Sequence, residues 1–209
     1  MPEVLTLPDR VVAGNGATGE ARSTRHSAPK PPVEGKPLIS QRRISRRVQA
    51  LGGEISERYA DIDQPLVLVV ILKGAAVFAA DLLRSLSIPA ELEFVRASSY
   101  GSGTSSSGKV RFAHMVEGPL TGRHLLLVED IVDSGRTINV IVRKLKAFRP
   151  ASVRLAALLD RPARREEHVD IDFTGFVIPD RFVIGYGLDF GERYRNLPYV
   201  GVLDPALVP

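Results

Sequence analysis

Three carboxylates fall within five residues in Val128-Glu129-Asp130-Ile131-Val132-Asp133-Ser134-Gly135-Arg136-Thr137. The first two follow the apolar run His124-Leu125-Leu126-Leu127-Val128, and a turn of small residues follows the third. Each part has a chemical use. Amides at a helix N-terminus, here around Ser134 to Thr137, can grip a phosphate. Ser134 and Thr137 add hydroxyls, and Gly135 lets the backbone come close. Adjacent carboxylates repel a phosphate, but they can take the hydroxyls of an attached sugar or a hydrated Mg²⁺. The segment therefore reads as one site for a sugar phosphate. The plainer reading is a strand followed by an Asp/Ser helix cap. Two acids beside a strand, then Asp-Ser-Gly-Arg-Thr, favour the site.

Such a site needs a sheet to present it, because ligands of open parallel sheets sit beyond the carboxyl ends of strands. Leu66-Val67-Leu68-Val69-Val70-Ile71-Leu72 is continuous and β-branched, as a strand covered on both faces requires. It exits into Lys73-Gly74, and the periodic run Ala75 to Leu86 predicts a helix. Glu91 to Arg96, Val110 to Met115 and Val153 to Leu159 are further strands, the last exiting into Asp160-Arg161. Ile44, Val48, Leu51, Ile55 and Tyr59 mark one face of a leading helix, and Ile138, Ile141, Val142 and Leu145 one of a later helix. Gln41, Arg42, Arg43, Arg46 and Arg47, mostly off the first face, read as a solvated side. Strands alternating with helices predict an α/β fold with a mostly parallel sheet flanked by helices. Residues 161–203 hold short apolar runs broken by Gly and Pro and predict a small β-rich hood lobe beside a core at about 60–160. Gly103-Thr104-Ser105-Ser106-Ser107-Gly108-Lys109 imitates a nucleoside-triphosphate loop, but Val110 stands where a Mg²⁺-binding hydroxyl should, and a strand follows instead of a helix.

The 209 residues suit one domain, and 44% hydrophobic content can bury a core. The chain has no cysteine, which excludes disulfides, thiolate–zinc sites and thiol nucleophiles; its histidines, 26, 114, 124 and 168, are scattered. No apolar run is long enough for a membrane span and no secretory signal is visible, so the expected location is the cytoplasm. A net charge of +4, spread along the chain, does not argue for nucleic acid. Residues 1–36 are rich in Pro, Gly, Ser and Thr and read as a disordered extension ahead of a domain at 37–209.

Glu129 to Thr137 resembles the phosphoribosyl-diphosphate signature of type I phosphoribosyltransferases. Leu72-Lys73-Gly74-Ala75, Ser98-Ser99-Tyr100-Gly101 and Phe182-Val183-Ile184-Gly185-Tyr186-Gly187-Leu188-Asp189 are similar to three further motifs of the hypoxanthine-guanine branch, in the same order. The resemblance runs from about Leu38 to about Leu203. It implies transfer of a ribose 5-phosphate group from 5-phosphoribosyl 1-diphosphate to hypoxanthine or guanine, with Mg²⁺ as cofactor and a homodimer or homotetramer as the assembly. The phosphoribosyl-diphosphate positions it implies are Lys73 and Gly74 (a loop whose peptide is cis in the family), Glu129, Asp130, Asp133, Ser134, Gly135, Arg136, Thr137 and Arg195. Asp133 matches the base that takes the purine proton. Glu129, Asp130 and Asp189 match metal positions. Arg161, Phe182, Val183 and Asp189 match the purine side, with Phe182 stacking on the ring. Ser99 and Tyr100 match a lid, for which the plain alternative is a flexible loop. Arg161 departs from the family, which has lysine there to donate to the 6-oxo group, and a planar fork does not replace a lysine ammonium. That leaves the preference among hypoxanthine, guanine and xanthine open. A xanthine-preferring enzyme and a regulator that senses the diphosphate sugar while binding nucleic acid are the competing readings.

Overall fold

The structure, a computed structural model, describes residues 31–99, 110–114, 116 and 118–207. Its elements run α1 (Gln41–Arg58), β1 (Leu66–Leu72), α2 (Ala76–Ser85), β2 (Ala90–Ser99), β3 (Val110–His114), β4 (His124–Val132), α3 (Arg136–Lys146), β5 (Ser152–Asp160), β6 (Phe173–Val177), β7 (Val183–Ile184) and β8 (Gly201–Val202). Among the described residues the main sheet has six strands in the order β3-β2-β1-β4-β5-β6. All neighbours are parallel except β2 and β3. The expected α/β class is therefore observed.

The central strands carry the hydrophobic load because both of their faces are covered. Leu66, Leu68 and Val70 of β1 pack with α1 and α2, while Val67, Val69 and Ile71 pack with α3. In β4, Leu126 and Val128 join the first cluster and Leu125 and Leu127 the second. This period-2 split is why an unbroken apolar run can be a strand. Helix α1 buries Ile44, Val48, Leu51 and Ile55, the face its spacing predicts. Gly52 lets α1 reach α2, since a Cβ there would lie 2.3 Å from Ser85 Oγ.

From β1 the chain turns to β2 on one side, and from β4 to β5 on the other. The sheet order thus reverses between β1 and β4, and a crevice opens beyond their carboxyl ends.

Four expectations need correction. The acid pair is not past β4 but within it, since the strand continues to Val132. Residues 173–177 do not belong to a separate lobe: β6 pairs in parallel with β5, and Arg47 Nη2 of α1 donates to Thr174 O at 2.7 Å. Arg47 is therefore a structural contact and not part of a purely solvated side. What remains of the β-rich tail is the β7–β8 ribbon, whose Val183, Tyr186, Leu188 and Val200 share the α1/α2 core cluster instead of building their own. Finally, the folded body starts before residue 37. Val33 bridges Leu203, and Glu34 N donates to Val202 O at 2.9 Å. Residues 1–30, the Gly/Ser-rich 100–109 segment with Tyr100, and the imitation nucleotide loop lie outside the described residues.

Candidate active site

Two cavities open at the crevice. The first, about 340 Å³, is lined by residues that include Gly74, Glu129, Asp130, Asp133, Ser134, Gly135 and Thr137. The second, about 230 Å³, is lined by Asp130, Ile131, Asp133, Arg161, Phe182, Val183, Leu188 and Asp189. Asp130, Ile131 and Asp133 line both. One chamber thus holds the acids and the helix start, the other the expected purine residues, and the shared wall is the end of β4 and its turn.

The turn is held from several sides. Gly135 adopts φ +86°, and a Cβ there would lie 2.6 Å from Glu167 O. No side chain caps α3 at Gly135. Intrahelical bonding leaves the first-turn amides over, and that of Arg136 meets Ser134 Oγ at 3.4 Å. Arg165 Nε donates to Asp133 O at 2.8 Å, and Ser134 O accepts from Glu166 N and Glu167 N. The Arg136 guanidinium turns to Glu166, and Arg136 does not line either cavity.

The cis peptide of this loop is the Leu72–Lys73 bond. Gly74 presses on the acid pair so closely that a Cβ would sit 1.6 Å from Asp130 Oδ2. The carboxyl of Asp130 is pushed up to about 6, chiefly by burial, with hydrogen bonds from the backbone and the Arg195 charge opposing. Glu129 is raised well above the usual carboxylate range by burial and by Asp130 beside it. Its Oε2 is buried without a hydrogen-bond partner.

Among the described residues no three His, Asp or Glu side chains gather into a metal cage. Asp189, expected beside Glu129 and Asp130 as a metal position, instead pairs with Arg195 Nη2 at 2.8 Å and accepts from Glu192 N at 2.8 Å. An orphaned buried carboxylate oxygen beside a second acid still suits Mg²⁺, which takes one or two carboxylates and completes its shell with water and substrate oxygens.

Lys73 and Arg195 line neither cavity, and both meet Glu192. Lys73 Nζ lies 2.8 Å from Glu192 Oε2, and Arg195 Nη2 lies 3.5 Å from the same oxygen. Arg195 Nη1 also donates to Gly187 O at 2.7 Å. Lys73 holds Glu192 below its usual pKa through that hydrogen bond.

On the other side, Arg161 is 7% exposed and holds Asp133 with a two-pronged contact, Nε to Oδ1 at 2.6 Å and Nη2 to Oδ2 at 2.5 Å. Its Nη1 donates to Arg181 O at 2.7 Å. Phe182 stands at the cavity rim, edge-on to Phe190 at 5.9 Å, and Val183 is buried. Ser99 ends β2, and Tyr100 lies outside the described residues.

Reading the sequence missed Ile131, Leu188 and Glu192. Ile131 and Leu188 were hidden among core-type residues. Glu192 gave no signal beyond its place next to Gly191 in a turn, where it adopts φ +64°.

A family model described as phosphoribosyl transferase domain matches residues 40–191. The chain belongs to that family. The hypoxanthine-guanine phosphoribosyltransferase of Mycobacterium avium is 44% identical over 199 residues, spanning 90% of this chain and 98% of that protein. A hypoxanthine phosphoribosyltransferase structure from Staphylococcus aureus superposes with a TM-score of 0.80 at 35% identity, covering 85% of this chain and 95% of that one. One from Trypanosoma cruzi, in complex with the product IMP, does so at 0.78 and 37%, covering 85% and 97%. These similarities bear out the resemblance to the hypoxanthine-guanine branch. Among the described residues no helix is long and apolar enough to cross a membrane.

Proposed function

We propose that this protein transfers the 5-phosphoribosyl group from 5-phosphoribosyl 1-diphosphate to hypoxanthine or guanine, forming IMP or GMP and releasing diphosphate. It is a purine-salvage transferase. The observation that carries the reading in detail is the pair of cavities joined at Asp130, Ile131 and Asp133. A sugar phosphate fits the first, with its phosphate on the amides of Ser134 to Thr137 and its hydroxyls toward Glu129 and Asp130. A purine fits the second, against Phe182 and Val183. The reacting sugar carbon then falls at the shared wall.

The bond formed is from purine N9 to the sugar carbon. The bond broken is from that carbon to the diphosphate oxygen, which leaves with the electron pair. Asp133 accepts the purine proton. Such acid–base help is worth ~10²- to 10⁴-fold. Lys73 and Arg195 release Glu192 and meet the leaving charge. Glu129 or Asp130, and Asp189 once it lets go of Arg195, would hold Mg²⁺ together with substrate oxygens, and the ion would supply neutralisation of the diphosphate. Ser99 and Tyr100 belong to the covering segment that keeps water out. A cytoplasmic location and assembly into a homodimer or homotetramer complete the reading, to be checked by fractionation and light scattering.

Radiolabelled hypoxanthine, guanine and xanthine, each with 5-phosphoribosyl 1-diphosphate, form the test. Labelled IMP and GMP should appear with Mg²⁺ and fall at least 100-fold when EDTA removes it. Xanthine as the best substrate would replace the base assignment. No nucleotide from any base would overturn the enzyme reading in favour of a sensing role.

A further inference from the structure

We propose that Arg161 is a positioning residue for Asp133 as well as a purine contact, so that the two side chains act as one preformed unit reading the N7–O6 edge of the base. The inference rests on the function proposed above and deepens it. A guanidinium has five N–H donors in a fixed plane. Three are committed here: Nε and one Nη2 hydrogen to the two oxygens of Asp133, and one Nη1 hydrogen to Arg181 O. Asp180 Oδ1 stands 3.9 Å from Nη1. Among the described residues the second Nη2 hydrogen has no partner, and both residues line the purine cavity.

The unit therefore offers an acceptor at Asp133 beside a donor at Arg161. A 6-oxopurine protonated on N7 offers the complement, a donor beside an acceptor. Adenine offers an amino donor where the oxygen should be, and two donors then face each other. A carboxylate oxygen has lone pairs to spare, so Asp133 can take the N7 proton without giving up the fork. A lysine, as a single point charge, cannot grip both carboxylate oxygens and the 6-oxo group in one fixed geometry. The departure at Arg161 thus joins base recognition to orientation of the proton acceptor. Burial of the guanidinium and its bond to Arg181 O keep the unit fixed before the base arrives.

Arg161→Lys is the direct test, read with hypoxanthine by steady-state kinetics and checked for folding by thermal melting. It should lower kcat at least tenfold while KM for hypoxanthine stays within about threefold. In an Asp133→Asn background the same change should cost less than twofold further, because its target is already gone. A kcat within twofold of wild type in Arg161→Lys, or a full additive loss in the double variant, overturns the proposal. A structure of the unaltered protein with IMP provides a second arm that no folding defect can cloud. The Asp133–Arg161 fork should persist with Nη2 within hydrogen-bond distance of O6. An Arg161 swung off Asp133 overturns the proposal. If the unaltered protein forms no IMP at all, it is the function that fails, and the kinetic arms report nothing else.

Discussion

The crevice contains two kinds of guarded cation. On the leaving-group side, Lys73 meets Glu192 in open water, the two side chains 50% and 65% exposed, while Arg195 rests mainly on Asp189. On the base side, Arg161 meets Asp133 where the guanidinium side chain is only 9% exposed. The first arrangement is cheap to break, because exposed pairs gain little beyond solvation. The second is expensive, because a buried charge left without its partner destabilises the fold strongly. The contrast fits the two tasks. In the proposed reaction diphosphate must come and go, so Lys73 holds a removable stand-in. The purine edge must be read in one geometry, so its reader is fixed.

Asp133→Asn attacks the costly pair. It should lower kcat by ~10²- to 10⁴-fold. It should also cost about 3 kcal/mol of stability, since Arg161 stays buried facing a neutral amide. Stopped assays and chemical denaturation measure the two losses, and a purely kinetic effect would mean the fork contributes nothing to the fold.

Asp130→Asn sharpens the comparison by removing a buried acid that has no fixed cation of its own. Burial raises Asp130 to about 6, so the folded state binds its proton more tightly than the unfolded chain does. Stability that is present below the ordinary carboxylate pKa is then lost as pH rises through about 6. The variant should escape that loss. At pH 7.5 it should be more stable than the parent by roughly 1–3 kcal/mol, with little difference at pH 4, while its turnover falls. Calorimetry across pH 4 to 8 decides, and parallel curves for the two proteins would contradict the sign.

Glu192→Gln attacks the cheap pair and should have the smallest effect. Lys73 would be released in advance while Arg195 stays on Asp189 and Gly187 O, so KM for the diphosphate sugar should drop by about two- to fivefold, with a melting temperature within about 1 °C of the parent. A rise in KM would show that Glu192 assists binding instead of occupying the site.

Much of this architecture could be read from periodicity. The buried strands β1, β4 and β5 and the helices α1, α2 and α3 announced themselves through apolar runs and through spacings of three and four. The acid cluster at Glu129, Asp130 and Asp133 was visible because carboxylates at a strand exit have few structural uses. What stayed hidden depends on pairing between distant segments. Nothing local says that Phe173–Val177 lies beside β5, or that the Pro-rich start of the body pairs with residues 200–203. The Asp133–Arg161 fork spans 28 residues, and its geometry arises only when β4 and β5 end side by side. Glu192 could not be found at all, since an exposed acid in a turn resembles any solvated one.

Gly187 adopts φ +99° and lies so near the carbonyl of Gly74 that a Cβ would be 2.1 Å from its oxygen. Two stretches more than a hundred positions apart along the chain are therefore pressed back to back. Anyone who sought a new base preference by grafting residues 182–195 from a relative would have to carry 72–75 along with them, or the borrowed piece would not seat.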